Sequence, residues 1–218
     1  MTDLILQALF SGVLIGSVYA LVALGLALAF GAMRIINLAH GELVLLAAYM
    51  AYFVEASTGL NPYAAIPLAL LAVLLVSWIL VLLVSWIREH RELNSLILTF
   101  AMGIILTNGI LLVFASDVRT TNSATLQDAV SFGDLFAMRG EIVAFFVSLV
   151  LMGFLWWWLK SSWYGRAMRA VSSNRDAARL MGINPARIET ASFLVAGALA
   201  AFAGVALYTM SVIQPATG

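Results

Sequence analysis

The sequence has 218 residues, of which 63% are hydrophobic and only 10% are charged, and its formal net charge is zero. A soluble domain carries roughly 25% charged residues, and a chain this short cannot bury so much apolar surface in one water-soluble core. Its long apolar runs also lack the alternation of a transmembrane barrel. Composition therefore predicts an all-α, polytopic bundle of transmembrane helices. The absence of cysteine excludes disulfides, thiolate metal sites and cysteine catalysis.

The first apolar run, Leu4 to Phe30, carries no charge and is long enough to cross about 30 Å of hydrocarbon. The chain begins Met1-Thr2-Asp3 without a basic segment, so we interpret this run as a retained span and not as a cleaved signal peptide. Gly12 and Gly16 have a spacing that lets helices approach closely. Tyr19 follows on the same helix. Two interpretations of this helix remain, ordinary packing against other helices and a position lining a translocation pathway.

A dense polar group, Asn37, His40 and Glu42, lies in the next segment, 31–42. The apolar run 43–54 is too short to span alone, so these side chains lie at or within a membrane boundary. Ionisable groups at mid-bilayer cost roughly 2.5–3.5 kcal/mol and persist when they are paired or face a cavity. Asn37 and His40 share a face if this segment is helical. Two alternatives remain, an interfacial cap and a polar kink near the substrate pathway.

Further apolar runs bring the predicted total to six spans in a single membrane domain, residues 1–218. These runs are 63–87, 93–116, 142–159 and 190–210. The segment 117–140 is acidic to neutral, and we expect a loop with a short surface helix there. The last span carries small residues that favour close helix packing, namely Ala196, Gly197, Ala200, Ala201 and Gly204.

Six of the eleven Lys and Arg residues lie in one polar segment, Lys160 to Arg187. Basic residues concentrate in cytoplasmic loops, so we place this segment in the cytoplasm. Counting back through the spans puts three more arginines on the same side, Arg34, Arg88 and Arg91. The opposite side holds two, Arg119 and Arg139. This asymmetry of nine against two predicts that both ends of the chain, including the N-terminus, lie on the periplasmic side.

Two short helices are predicted within this basic segment. Gly165 interrupts the fifth span, and residues 166–171 form the first helix. Ser173 or Asn174 caps the second helix, which runs from Arg175 to Met181.

The second short helix has a defined end and a smooth face. Gly182 follows it as a C-cap, and Asn184-Pro185 stops it and starts the next helix at Ala186. Ala177 and Ala178 provide the smooth face. The residues alone leave two alternatives, a solvated basic loop and a docking element for a soluble partner.

Two stretches carry more specific patterns, GRAMRAVSSNRDAARLMGINPARIE from Gly165 to Glu189 and GSVYALVALGLALAFGAMRIINLAHGELVLLAAYMA from Gly16 to Ala51. The first resembles the cytoplasmic coupling segment of the permease subunits of ABC importers for branched-chain amino acids. The second resembles the N-terminal signature of the same family, and its Asn-Leu-Ala-His-Gly core indicates the first of two permease types. Family members continue for further spans beyond Gly218, so we expect a C-terminally truncated chain.

The resemblance implies a mechanism and a set of partners. Two permease subunits would form the membrane pathway, two cytosolic ATPase subunits would bind the coupling helices, and a periplasmic binding protein would deliver the solute. ATP would bind to the partner subunits, so no cofactor or metal is expected on this chain. It lacks the GxxxxGK[ST], HExxH and GxSxG motifs. We therefore expect a multi-pass transport subunit of the bacterial inner membrane, which is not an enzyme and binds no nucleic acid.

The coupling motif of other ABC importers centres on Glu-Ala-Ala and a downstream Gly. Here Asp176-Ala177-Ala178 and Gly182 stand at comparable places, with Asp replacing Glu. The resemblance assigns ATPase coupling to these residues and to the neighbouring arginines and caps: Arg166, Arg169, Asn174, Arg175, Asp176, Ala177, Ala178, Gly182, Ile183 and Asn184.

Branched-chain amino acids are the solutes that the resemblance implies, with other amino acids, amides or urea as alternatives. The tentative pathway residues are Tyr19, Asn37, His40 and Glu42. The same polar group favours a competing hypothesis, a stand-alone secondary transporter or channel for a small neutral or zwitterionic solute.

Overall fold

The computed structural model describes residues 2–87, 89–133 and 135–214. Arg88, counted above among the cytoplasmic arginines, lies outside the described residues. The described elements, in chain order, are α1 (Thr2–Met33), α2 (His40–Thr58), a short 3-10 helix (Pro62–Ala65), α3 (Ile66–Trp86), α4 (Arg91–Phe114), α5 (Ala124–Gln127), β1 (Ala129–Phe132), β2 (Leu135–Met138), α6 (Arg139–Ser161), α7 (Trp163–Ser173), α8 (Arg175–Leu180) and α9 (Pro185–Met210).

Contacts between distant residues gather the connecting segments at two ends of the bundle. At one end, which we call the α8 end, Arg175 binds Glu189 near the start of α9. At the other end, which we call the hairpin end, Thr121 in the loop after α4 binds Glu55 near the end of α2. Within the described residues, six helices run between the two ends: α1, α2, α3, α4, α6 and α9.

Five described helices are long and apolar enough to cross a membrane, and α2 is not among them. They comprise Asp3–Met33, Pro62–Trp86, Arg91–Phe114, Arg139–Ser161 and Pro185–Met210. The 19 residues of α2 include His40, Glu42 and Glu55. This helix packs against α3, α4 and α9, and because its surroundings are mostly protein it needs no continuous lipid-facing apolar surface. The six predicted spans therefore correspond to five strongly apolar helices and to α2, a mostly apolar, largely buried helix that carries His40, Glu42 and Glu55.

The central helix is α9, which packs against α1, α2, α3 and α6. A Cβ on Gly204 would lie 2.1 Å from the carbonyl oxygen of Val44 in α2, and one on Gly197 would lie 2.5 Å from Ser77 Oγ in α3. The predicted close packing of small residues in this helix is confirmed. Gly12 and Gly16 of α1 differ, because nothing in the described chain lies within 4 Å of a Cβ on either.

The segment between α4 and α6 contains more structure than predicted. The expected short helix is α5, but an antiparallel hairpin follows it, in which Ala129 pairs with Met138 and Phe132 with Leu135. Gly133 turns the hairpin with a φ of 67°, a conformation that suits glycine. Strands this short give too little alternation for the pattern to stand out in the sequence.

Candidate functional site

The basic segment folds back sharply where α6 meets α7. Ser162 Oγ accepts a hydrogen bond from the backbone N–H of Gly165 at 3.0 Å and so caps α7. A Cβ on Gly165 would lie 1.8 Å from the carbonyl oxygen of Leu159. Only glycine therefore permits this close approach, and Gly165 lies within the first turn of α7 and not between the two helices.

Two of the predicted coupling arginines close the end of α6. Arg166 donates to the carbonyl oxygen of Ser161 at 3.0 Å, and Arg169 donates to that of Leu159 at 2.9 Å. The last carbonyls of a helix have no partner within the helix, and a cation near them is favourable. Both side chains remain exposed, so they hold the fold together and are still accessible to a partner.

A side-chain cap defines the start of α8. Asn174 Oδ1 accepts hydrogen bonds from the backbone N–H groups of Asp176 and Ala177, at 3.1 and 3.0 Å. Asn174 is therefore the N-cap, whereas Ser173 is the last residue of α7. The carboxylate of Asp176 lies in the first turn, where negative charge complements the helix dipole.

The end of α8 is equally well defined. The helix ends at Leu180, one residue earlier than predicted, and Gly182 follows with a φ of 81°. The N–H of Gly182 donates to the Arg179 carbonyl at 3.0 Å, and that of Ile183 to the Ala178 carbonyl at 3.1 Å. This pair of bonds is a Schellman motif. The predicted C-cap role of Gly182 is confirmed.

A third cap starts α9. Asn184 Oδ1 accepts a hydrogen bond from the backbone N–H of Arg187 at 3.3 Å. The helix begins at Pro185, one residue before the predicted Ala186, because proline is favoured at the first helical position. The link between α8 and α9 is thus short and capped on both sides.

The two alanines of α8 do not share a face. Ala178 is buried against Ala167, Val171 and Ile188, whereas Ala177 is exposed. Successive helical residues point about 100° apart, so the predicted smooth face formed by both is wrong. Ala178 anchors α8 to the protein, and Ala177 belongs to its outer side.

The outer side of α8 ends in two large apolar residues that the sequence analysis overlooked. Leu180 is 89% exposed and Met181 is 83% exposed. Together with the exposed residues Asp176 and Ala177 they form what we call the α8 surface. Because α8 belongs to the polar, basic segment, these exposed apolar side chains make its outer side a candidate interaction surface. The signal in the sequence was an apolar pair directly before the glycine cap.

A buried carboxylate, Glu189, lies beneath α8 and was also missed. Its Oε2 atom lies 2.9 Å from Arg91 Nη2, and its Oε1 atom lies 3.1 Å from Arg175 Nη2. Glu189 thereby connects the starts of α4, α8 and α9. A single acidic residue at the beginning of an apolar helix was the available signal, since such residues persist only when paired.

The face of α7 that lies against α9 is held by Tyr164. Its hydroxyl forms a hydrogen bond with Ser192 Oγ, and its ring stacks on Trp158 with 4.7 Å between ring centroids. Burial raises the pKa of the Tyr164 hydroxyl. The phenol therefore remains protonated and available as a donor.

Asn37 serves the turn before α2. Its Oδ1 atom accepts from the backbone N–H of Ala39 at 3.1 Å, and its carbonyl oxygen accepts from the N–H of His40 at 3.2 Å. Asn37 lies outside any helix, so the condition under which Asn37 and His40 would share a helical face is not met. Arg34, with a φ of 53°, leaves α1 in the left-handed region, and α2 begins only at His40.

His40 at the start of α2 points toward α1, whereas Tyr19 of α1 points outward. His40 is buried, and its Nε2 atom lies 3.2 Å from the carbonyl oxygen of Val22. Tyr19 is 59% exposed and lines a cleft of about 240 Å³ with Gly41. The histidine ring joins the two helices, whereas the tyrosine faces outward.

Glu42 points toward α4. A Cβ on Gly103 would lie 3.5 Å from Glu42 Cγ, and Glu42 Oε2 is buried without a hydrogen-bond partner among the described residues. The four tentative pathway residues therefore do not form one constellation. Of the four, Glu42 is the residue with a buried acceptor still unused.

Comparison with known proteins agrees with this architecture. The chain matches the family described as branched-chain amino acid transport system / permease component over residues 8–218. It is 30% identical over 229 residues to the high-affinity branched-chain amino acid transport system permease protein BraD of Pseudomonas aeruginosa. It is 31% identical over 227 residues to the corresponding protein LivH of Escherichia coli K12. Each alignment covers 98% of this chain and 74% of the relative.

A more distant organism contributes a similar relative. The probable branched-chain amino acid transport permease protein LivH of Methanocaldococcus jannaschii is 30% identical over 211 residues, which cover 94% of this chain and 67% of the relative. No solved structure matches the chain significantly. The family match over nearly the whole chain and the polytopic helical fold lead to one conclusion: this chain belongs to the permease-component family of branched-chain amino acid transport systems.

Proposed function

We propose that the chain is a membrane-spanning permease subunit of an ABC importer, which moves branched-chain amino acids or a related small polar solute across the bacterial inner membrane. Family membership supports the transport role. The names of the relatives from Pseudomonas and Escherichia support the solute class. ATP would bind to partner subunits and would need no cofactor on this chain.

In this proposal the α8 end faces the cytoplasm. Among the described residues, eight Lys and Arg residues belong to the segments at the α8 end and two to those at the hairpin end. Basic residues favour the cytoplasmic side, so this distribution supports the orientation. The N-terminus, at the start of α1, would then lie on the periplasmic side.

The observation that carries the proposal is the α8 surface. Its capped helix presents Leu180 and Met181, 89% and 83% exposed, at the end of the bundle where basic residues concentrate. Apolar side chains of this size suit a groove on a soluble partner, and the exposed Arg179 suits an acidic rim. We assign this surface to a cytosolic ATPase subunit. The complete importer would contain two ATPases, a second permease subunit and a periplasmic binding protein, with lipid around the spans.

The caps would let α8 transmit force as a rigid element. Both helix ends are fixed by hydrogen bonds, so a push from the ATPase would displace the helix and not unfold it. The preceding helix α7 is tied to α1, because Ser172 Oγ donates to the Gly31 carbonyl at 2.6 Å and Arg34 Nη2 donates to the Ser172 carbonyl at 3.0 Å. Movement at the α8 end would therefore reach several spans and rock them together.

The experiment that tests this assignment is co-purification of the ATPase subunits with the permease. The double change Leu180→Asp with Met181→Asp should leave membrane insertion intact and abolish capture of the ATPases. Leu60→Asp is the matched control, since Leu60 is 56% exposed in the turn at the hairpin end. Equal ATPase recovery with both variants would contradict docking on the α8 surface.

A further inference from the structure

Glu189 is a buried carboxylate that ties together three helices. Its oxygens bind Arg91 at the start of α4 and Arg175 at the start of α8, at 2.9 and 3.1 Å. The side chain of Glu189 is 6% exposed, whereas those of Arg91 and Arg175 are 26% and 43% exposed. Because an unpaired charge in such a place is costly, the carboxylate resists the loss of either cation.

Apart from these ion pairs, α8 has few attachments to the spans. Of its six residues, Ala178 alone is buried. Clefts of about 380 and 340 Å³ adjoin the ion pairs, and Arg91, Arg175 and Glu189 line both. The link 181–184 leads from α8 directly to α9. Within the described chain, α8 is therefore connected to α4 through two ion pairs, Arg175 with Glu189 and Glu189 with Arg91.

We propose that Glu189 is the joint through which a displacement of α8 moves α4 and α9 together. This inference rests on the proposed function, in which an ATPase acts on the α8 surface. Charges attract more strongly in a site that is poorly exposed to water, so separating Arg175 from Glu189 opposes any slip of α8 relative to the spans. Glu189 would contact neither solute nor ATPase, and we describe it as a positioning residue.

The test is the ratio of ATP hydrolysed to radiolabelled leucine transported by the complete importer in proteoliposomes. Glu189→Gln keeps the shape of the side chain and removes its charge. We expect normal ATPase recovery and a ratio raised about fivefold or more. Glu92→Gln, a change to an exposed carboxylate beside Arg91, is the control that should keep the wild-type ratio. A role in stability alone would lower transport and hydrolysis together, and an unchanged ratio would overturn the proposal.

A second variant covers the case in which Glu189→Gln does not assemble. Arg91→Met leaves the pair between Arg175 and Glu189 intact, so it keeps α8 on α9 and releases α4 alone. We expect a raised ratio with normal ATPase recovery, and a wild-type ratio would overturn the proposal. Failure of the proposed function would look different, because the wild-type importer would then show no ATP-dependent leucine uptake.

Discussion

Gly204 of α9 and Val44 of α2 mark a crossing at which the two backbones nearly touch, since a Cβ on Gly204 would lie 2.1 Å from the Val44 carbonyl oxygen. The crossing holds α2 against the central helix α9. Lipid tails are as apolar as the helices, so packing of this kind stabilises a membrane bundle where the hydrophobic effect does not.

We therefore predict that Gly204→Ala destabilises the folded chain by about 2 kcal/mol or more, because the backbones must separate to admit a methyl group. The measurement is the thermal unfolding midpoint in detergent. Gly153→Ala in α6 is the control, since nothing lies within 4 Å of its Cβ; alanine there should be neutral or stabilising by up to about 1 kcal/mol. Similar midpoints for the two variants would contradict the close crossing.

Substitutions of Gly182 distinguish the effect of backbone strain from the effect of contact with a partner. Its φ of 81° penalises any side chain, yet nothing in the described chain lies within 4 Å of a Cβ there. Asparagine tolerates this conformation, whereas alanine costs roughly 1–2 kcal/mol. We expect Gly182→Asn to retain most transport, Gly182→Ala to lose part of it, and Gly182→Trp to insert normally but uncouple transport. Normal transport and ATPase recovery by Gly182→Trp would argue against a coupling role for this turn.

At the hairpin end, Glu55 fastens the loop after α4 to the bundle. Its carboxylate accepts hydrogen bonds from Thr121 Oγ1 at 2.8 Å, from the N–H of Asn122 at 3.2 Å and from the hydroxyl of Tyr208. Glu55→Gln weakens these bonds, and we expect the free energy of unfolding to fall by about 1–3 kcal/mol. Hydrogen exchange of residues 117–123 should rise accordingly.

The matched control for the Glu55 change is Asp128→Asn. Asp128 pairs with Arg139 at 3.3 Å, and both side chains are more than half exposed. Exposed pairs contribute about 0–1 kcal/mol, so this variant should leave exchange in the loop unchanged. Equal exchange in the two variants would mean that Glu55 does not fasten the loop.

Glu42 offers a test of the solute pathway. Because its Oε2 atom is buried without a partner in the described chain, Glu42→Gln removes a desolvation cost, and the unfolding midpoint should stay constant or rise. If the carboxylate binds the ammonium group of the solute, the leucine concentration that half-saturates transport should rise about tenfold in this variant. Glu89→Gln, in the exposed loop before α4, should change neither quantity. A lower midpoint with unchanged leucine half-saturation would remove Glu42 from the pathway.

Local features of the α8 segment could be predicted because capping depends on a few neighbouring residues. Asn174, Gly182 and Asn184 carry the residue types that caps require, and the structure places helix ends at each of them. The small residues of α9 likewise predicted close packing against neighbouring helices. Apolar length predicted most spans for the same reason, since each span is a property of one continuous segment.

Features that depend on tertiary contacts could not be predicted in the same way. Nothing local shows that Glu189 meets Arg91 and Arg175, or that Glu55 meets Tyr208. Hydropathy alone does not single out α2 as a span, because His40, Glu42 and Glu55 interrupt its apolar residues, and the neighbouring helices that bury it cannot be read from its own residues. The exposure of Leu180 and Met181 depends likewise on which side of α8 packs against the bundle, and that side carries the buried Ala178.

We propose that this chain transports a solute only when partner ATPases drive it. The direct measurement is uptake of radiolabelled leucine into proteoliposomes that contain either the complete importer or this chain alone. We expect uptake by the complete importer with ATP, and none without ATP or from the chain alone. Leucine flux through the chain alone, independent of ATP, would instead show a stand-alone transporter or channel.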